Sequence, residues 1–569
     1  MTEEDREKIS REDYADLIID YRSNPQRLQE FKDATIHIMN TSFAIVHIPA
    51  SQISTQSISQ FGYSAIPNLF GLTSGISLEA SGVDELRRRP NFNLRGEGIL
   101  IGIVDTGIDY TNPVFIKEDG TSKIVSIWDQ AIFSEAGYPF DTFFGTEYHT
   151  ENINEALAAE APFTVVPSMD ENGHGTMMAG IAAGNEVEAE NFYGVVPNAQ
   201  LVVVKLKPAK KYLKDFYSVP DNVVCFQENS VMWGVQYCVQ VARQLNRPIA
   251  IAIGMGTSQG PHDGSSPSSK LFSVLADYQK TAITISGGNE GNLGRHYHGM
   301  IDSKTGFDTV ELNVGENEGG FSMELWGDAP GIFSIDLLSP SGEFIPRIAA
   351  SLHVNRKISF IFESTVINID YQTAESETGD QLILMRFRNT TAGVWRFRVY
   401  GQSDLAIGFH IWLPMGDMIS RGTYFIRPDI YTTVLGTGTS VIPITVTAYN
   451  PLNGTLYSAA SRGFTRSNNV KPELAAPGVN YLAPNLKHEY SNYTGSGAAA
   501  AHTAGVMAMA LEWGIIKGNE PTLDTLEIKK FFIRGGKRNP SLTYPNRDWG
   551  YGILDIFNVF DVLRSEIGQ

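Results

Sequence analysis

The sequence predicts an α/β protein: a parallel sheet covered by helices on both faces, preceded by a small α/β unit and interrupted by an inserted β jelly-roll. Three observations predict it. First, short apolar β-branched runs recur at 99–104, 199–205, 249–254 and 282–286, with helical segments such as 231–245 between them. Apolar runs without alternation are buried on both faces, as strands of a parallel sheet are. Second, from 306 to 414 the texture changes to many short alternating strands (VELNV, FSMELW, LILMRFR, VWRFRVYG) separated by turns rich in Gly, Asn, Asp and Ser. That pattern belongs to an antiparallel sandwich or jelly roll. Third, α/β features return at 440–448 and run to the end, so the β-rich segment is an insertion. The implied units are 1–95, 96–305, 306–415 and 416–569, in a chain of 569 residues.

Within the first unit, residues 1–35 read as a charged, solvated helical lead. The stretch ATIHIMNTSFAIVHIP reads as two strands turning at Asn40-Thr41-Ser42. The basic run Arg87-Arg88-Arg89-Pro90 reads as a linker.

A formal charge of −19 argues against nucleic acid or an anionic membrane as the main partner. Cys225 and Cys238 are too few for a disulfide framework and read as buried apolar side chains. The N-terminus lacks a basic stretch followed by an apolar one, and no run of about 18 apolar residues suggests a membrane span. The expectation is a cytoplasmic protein.

Four segments carry chemistry. Asp105 lies in VDTGIDY, where an apolar strand stops in a polar turn, the usual place for a site in an open α/β sheet. His174 lies in ENGHGTMMAGI, Asn289 in the turn SGGNEGN, and TGSGAAAAHTAG opens a helix of small residues. A carboxylate can fix the tautomer of a histidine that deprotonates a hydroxyl nucleophile. An asparagine amide in a glycine-rich turn can donate a hydrogen bond to a developing oxyanion. Acid, then histidine, then a nucleophile-bearing helix is a recognised triad order.

On these four segments the chain resembles the subtilisin-like serine proteases, over about 95–305 and 415–569. Residues 468–480 are similar to the family stretch preceding the nucleophile. The short N-terminal unit, the β-rich insertion, GPHDGSSPSS and LEWGIIKGN further resemble the Csp germination proteases and pseudoproteases of spore-forming clostridia and their relatives. The resemblance implies that residues 1–95 are propeptide-like, that Asp105 orients His174, and that Asn289 serves the oxyanion. It also implies a wall of the specificity pocket at Gly254-Met255-Gly256. No cofactor or metal is implied. The implied partners are a protein or peptide in the cleft, the chain's own docked N-terminal unit, and a related subtilase or a spore-cortex hydrolase precursor.

The chain departs from the family at the nucleophile. The family motif places the serine five residues before a histidine; that histidine is His502, and counting back gives Gly497. Ser496 then takes the usual threonine position. For Ser496 to serve instead, a helix position about 100° and 1.5 Å away would have to do the same task. The expectation is an inactive or impaired member acting in regulation of germination, its N-terminal unit still joined and docked. The alternative is an active processing endopeptidase, seen as an inactivated variant or using Ser496. The junction a parent enzyme would cut is expected between residues 82 and 97.

His296-x-His298 lacks a nearby carboxylate or cysteine cluster in sequence, so a metal pair is not expected. His262-Asp263 reads as a loop lining the cleft rather than a second catalytic pair. No D-x-D-x-D-G calcium loop is present. The aromatic residues of the insertion read as its core.

Overall fold

The computed structural model describes residues 1–77, 94–134, 137–301, 304–350, 354–402 and 405–567. The predicted linker at 87–90 lies outside them, as does most of the expected junction.

The central sheet orders its strands Thr455–Leu456, Ile444–Asn450, Thr281–Ser286, Ile249–Ile253, Leu100–Asp105, Gln200–Lys205, Ile124–Asp129 and Thr146–His149, with Leu474–Pro477 also pairing Ile444–Asn450. The interior pairs are parallel, and Thr455–Leu456 and Thr146–His149 join them antiparallel. Apolar residues face both ways. Ile101 and Ile103 join a core with Met177, Ala179 and Ala498 from the helices His174–Ala183 and Ser496–Leu511. Leu100 and Val104 join another with Val231, Val235 and Phe272 from Glu228–Gln244 and Pro267–Ala276. The segment Ser496–Ile516 is long and apolar enough to cross a membrane, yet 78% of its most apolar window is buried within the protein. Its apolarity therefore belongs to the core.

The insertion is a β-sandwich. Six strands, from His296–Ile301 at one edge to Val354–Ser359 at the other, face five strands that run from Phe344–Ile348 to Tyr424–Phe425. Phe321, Phe387, Trp395 and Phe409 lie in the core between them. The sandwich thus takes in His296–Ile301 before and Tyr424–Phe425 after the 306–415 expected from sequence. Those edge strands are short and sit at the seams, where alternation is weakest.

The N-terminal unit pairs Tyr14–Asp20, Phe43–Pro49 and Thr35–Ile38 in an antiparallel sheet, Phe43–Pro49 central. Here the expected solvated lead over 1–35 is corrected: only Glu3–Ser10 is helical before Tyr14–Asp20 enters the sheet. Asp16 misled the reading, because its charge is buried rather than solvated. Its carboxylate meets Lys210 Nζ at 3.0 Å and His47 Nδ1 at 2.8 Å, and accepts from Gln227 at 2.9 Å. Lys210 Nζ also donates to Tyr14 O, and Lys207 Nζ to Ile9 O, each at 3.0 Å. His37 stacks on Trp233 with centroids 4.6 Å apart. This docking is therefore charged at its centre and aromatic at its margin. Burial raises the Asp16 carboxyl, but Lys210 and His47 outweigh it and hold the group well below the usual carboxylate range.

Asp16→Ala leaves Lys210 buried without its partner, and is expected to destabilise the protein by about 3–5 kcal/mol in denaturant unfolding. The native Asp16 contribution is fully present above the unfolded carboxyl value of about 3.9 and is lost progressively as pH falls below it. The stability difference between native and Asp16→Ala should shrink in the same direction; a difference independent of pH would remove this role.

Candidate functional site

The site forms where strand ends and helix starts meet. Asp105 is the last residue of Leu100–Asp105 and is fully buried. Its Oδ1 accepts from the Thr106 N–H at 2.8 Å and lies 2.7 Å from His174 Nδ1. His174 is the first residue of its helix and is buried. A β-carbon on the next residue, Gly175, would lie 2.1 Å from Gly107 O, so only glycine lets this helix start so close to the turn after Asp105. Asp170 secures the same corner. Its carboxylate accepts from the Thr106 hydroxyl (2.8 Å), the Gly173 N–H (2.8 Å), the Thr176 N–H (2.9 Å) and the Thr176 hydroxyl (2.7 Å). Sequence reasoning missed Asp170; the signal was an acid just ahead of the GHGT start, where helix N-termini favour one.

Gly497 faces this histidine. A β-carbon built on it would lie 3.3 Å from His174 Nε2, a nitrogen that has no hydrogen-bond partner among the described residues. Ser496 turns elsewhere: its buried Oγ accepts the Gly288 N–H at 3.0 Å. Asn289 bridges the two sides, its Oδ1 accepting the Ser496 N–H at 3.0 Å. His502 is buried against the Tyr481 hydroxyl at 3.0 Å, and burial lowers its pKa to about 4. It pins the helix in place.

The cleft is filled by the chain's own segment 69–77. Leu69–Leu72 is an antiparallel strand between Phe226–Gln227 and Met255–Gly256, with Phe70 opposite Phe226 and Leu72 opposite Met255. Beyond it, Gly75–Ser77 pairs antiparallel with Tyr490–Thr494. Backbone pairing thus grips both sides of the Thr73–Ser74 bond. The Thr73 N–H donates to Gly254 O at 3.1 Å, and its hydroxyl donates to the same oxygen at 2.6 Å. The Thr73 carbonyl accepts from Asn289 Nδ2 at 2.5 Å and from the Gly497 N–H at 3.2 Å. A β-carbon on Gly495 would fall 2.2 Å from that carbonyl oxygen, so the bare residue makes room for it. Two donors on a single carbonyl oxygen stabilise any negative charge that develops there.

The structure therefore brings Asp105, His174, Asn289 and Gly497 together, with Ser496 adjacent but turned away. Gly254-Met255-Gly256 runs beside the bound strand. The bond held in the cleft is Thr73–Ser74, ahead of the junction expected at 82–97. Thr73 and Ser74 were missed because no local motif marks a strand that pairs with another unit's edges. The His262 loop is also corrected. His262 is buried, with Nδ1 2.7 Å from Val434 O and Nε2 3.0 Å from Ser258 O, and its ring stacks on Trp412 at 4.1 Å. It joins the sandwich to the α/β domain rather than lining the cleft. His296 and His298 belong to the same stack through His410.

Comparison with known proteins agrees with this fold. The profile of the subtilase family matches residues 96–313 and 432–552, leaving out most of the sandwich. The solved structure of the Clostridium perfringens CspB protease superposes with a TM-score of 0.75 at 30% identity, over 84% of this chain and 95% of that one. Among curated proteins, the subtilisin-like protease SBT1.9 of Arabidopsis thaliana is 26% identical over 227 residues, 38% of this chain and 28% of its own length. The PII-type proteinase of Lacticaseibacillus paracasei is 23% identical over 226 residues, 38% of this chain and 11% of its own. The chain thus spans little more than a quarter of the curated relatives it matches, at most.

Ser496→Ala leaves the buried Gly288 N–H without an acceptor and is expected to cost about 1–3 kcal/mol of stability. The native protein should show no covalent labelling by a fluorophosphonate at Ser496 when its peptides are mapped by mass spectrometry. Labelling there would make Ser496 a nucleophile and undo the present assignment of the helix.

Proposed function

This chain belongs to the subtilase family, and from that premise we propose that it is a pseudoprotease that holds its own N-terminal segment in the cleft like a substrate. The carrying observation is the Thr73 carbonyl, bound by Asn289 Nδ2 and the Gly497 N–H while the residue facing His174 has no side chain. In a subtilase with serine at this position, Asp105 would orient His174, His174 would take the hydroxyl proton, and the oxygen would attack the Thr73 carbonyl carbon. The two donors would carry the oxyanion. With glycine there, the helix contributes no nucleophile; in subtilisin, losing the serine costs about 2 × 10⁶ in turnover. The N-terminal unit then stays joined and docked.

The role we assign is regulation of spore germination, through binding of a related subtilase or a spore-cortex hydrolase precursor. Its support is the likeness to the Clostridium perfringens CspB protease over nearly the whole of that chain. Such a partner would meet a chain whose cleft is already filled, so it would dock elsewhere on the surface or displace the segment. Synthesis in the cytoplasm and residence in the spore fit this role.

A second reading, a processing endopeptidase silenced at one residue, is favoured by the bond between Asp105 and His174 being formed. Gly497→Ser tests both. Its β-carbon would lie 2.5 Å from Ser74 Oγ, which a change of Ser74 rotamer relieves. The variant is expected to cut itself between Thr73 and Ser74, giving a new N-terminus at Ser74 by mass spectrometry. Subsequent cleavage of added peptides would favour the processing enzyme; self-cleavage alone favours the pseudoprotease. A folded Gly497→Ser chain that stays whole would refute the substrate-like pose.

A further inference from the structure

Resting on the same reading of the cleft, we propose that Ser74 acts as nucleophile toward its own peptide bond, in an N→O acyl shift at Thr73–Ser74. The missing side chain at Gly497 leaves a space between the scissile carbonyl and His174, and the Ser74 hydroxyl has entered it. A β-carbon on Gly497 would lie 2.5 Å from Ser74 Oγ, 3.0 Å from Thr73 Oγ1 and 3.3 Å from His174 Nε2, so the hydroxyl and the imidazole both border the place where that side chain would stand. Ser74 Oγ accepts the Ala498 N–H at 2.9 Å, which holds it beside the place a side chain at position 497 would take. Accepting that bond leaves the hydroxyl's own proton free to be given up.

The remaining parts are those already assembled for the absent serine. The Thr73 carbonyl is polarised by Asn289 and the Gly497 N–H. His174 is oriented by Asp105, and its Nε2 is buried without a partner among the described residues. Strand pairing on both sides holds the bond in register.

The step balances as an isomerisation. Ser74 Oγ bonds to the Thr73 carbonyl carbon, and the carbonyl π pair moves onto the oxygen between its two donors. The hydroxyl proton passes to His174 Nε2, which delivers it to the Ser74 nitrogen in the five-membered intermediate. The C–N bond then breaks. The Thr73 acyl group is left as an ester on Ser74 Oγ, and Ser74 carries a free amine. No atom is gained or lost. An amide is more stable than an ester at neutral pH, so the reverse shift keeps most chains joined. Water, or an added amine nucleophile, opens the ester irreversibly.

Hydroxylamine tests the proposal on the full-length native protein at neutral pH. The expected products are a fragment ending in a Thr73 hydroxamate and one beginning at Ser74, formed with first-order kinetics independent of protein concentration. Mass separates them from cuts at the hydroxylamine-sensitive Asn172–Gly173 and Asn453–Gly454 bonds. Ser74→Ala should abolish this cleavage, Ser74→Cys should keep or speed it through a thioester, and His174→Ala should slow it by about 10²–10⁴-fold. Cleavage that persists in Ser74→Ala overturns the proposal, as does an intact Thr73–Ser74 bond in both the native chain and Ser74→Cys. If Gly497→Ser cuts itself while hydroxylamine leaves the native bond whole, this inference alone falls. If neither bond opens, the reading of the cleft falls with it.

Discussion

The arrangement of the cleft depends on a single carbonyl oxygen. Thr73 O lies between Asn289 Nδ2 and the Gly497 N–H, and both donors are fixed by elements that do not belong to the N-terminal unit. Asn289 follows the strand Thr281–Ser286 and is braced by the Ser496 N–H; Gly497 opens the helix of small residues. Because one donor is a backbone N–H and the other belongs to a side chain braced by a backbone N–H, neither depends on a side chain at position 497. A cleft built to stabilise a charged intermediate is, without that nucleophile, a binding site for a neutral carbonyl. A glycine at position 497 therefore leaves the grip on that carbonyl in place.

The docking of the first 77 residues follows the same logic at larger scale. Asp16, Lys210 and His47 form a buried charged cluster, which contributes little net attraction once desolvation is counted but penalises misregistration severely. Glu324 of the sandwich accepts from the Tyr63 hydroxyl at 2.8 Å and the Gly260 N–H at 2.9 Å, so one carboxylate touches all three units. Arg466 pairs with Asp263 within the α/β domain and with Asp328 and Asp380 of the sandwich across the seam. Polar groups that must each find one partner place the N-terminal unit so that Leu69–Leu72 arrives in line with the cleft.

Much of this was legible in the sequence because it was local. Apolar β-branched runs ending in polar turns located the parallel strands and Asp105, and the spacing to His502 located Gly497. Where signals were non-local the sequence was silent or misleading. Asp16 looked solvated because nothing near it in sequence carries its partner Lys210, 194 positions away. The His262 loop looked open because the Trp412 that covers it lies in the insertion. The bond in the cleft lies ahead of the junction expected at 82–97, and its position is set by pairing with Met255–Gly256 and Tyr490–Thr494, not by any property of residues 73 and 74 themselves.

The Asp105–His174 hydrogen bond is formed although residue 497 carries no hydroxyl. Its partners explain why. Asp105 caps the turn at Thr106, Thr106 binds Asp170, and Asp170 holds the start of the His174 helix, so the pair is one link of a buried polar chain that fixes a helix to a sheet. Removing either member would strand the other in the interior, at a cost in folding rather than in turnover. Gly497 is different. A helix of small residues tolerates glycine at its first turn, and the space its side chain vacates is taken by a hydroxyl from the bound segment. Position 497 is thus a place in the cleft where glycine costs the fold little, and the Ser74 hydroxyl of the bound segment lies beside it.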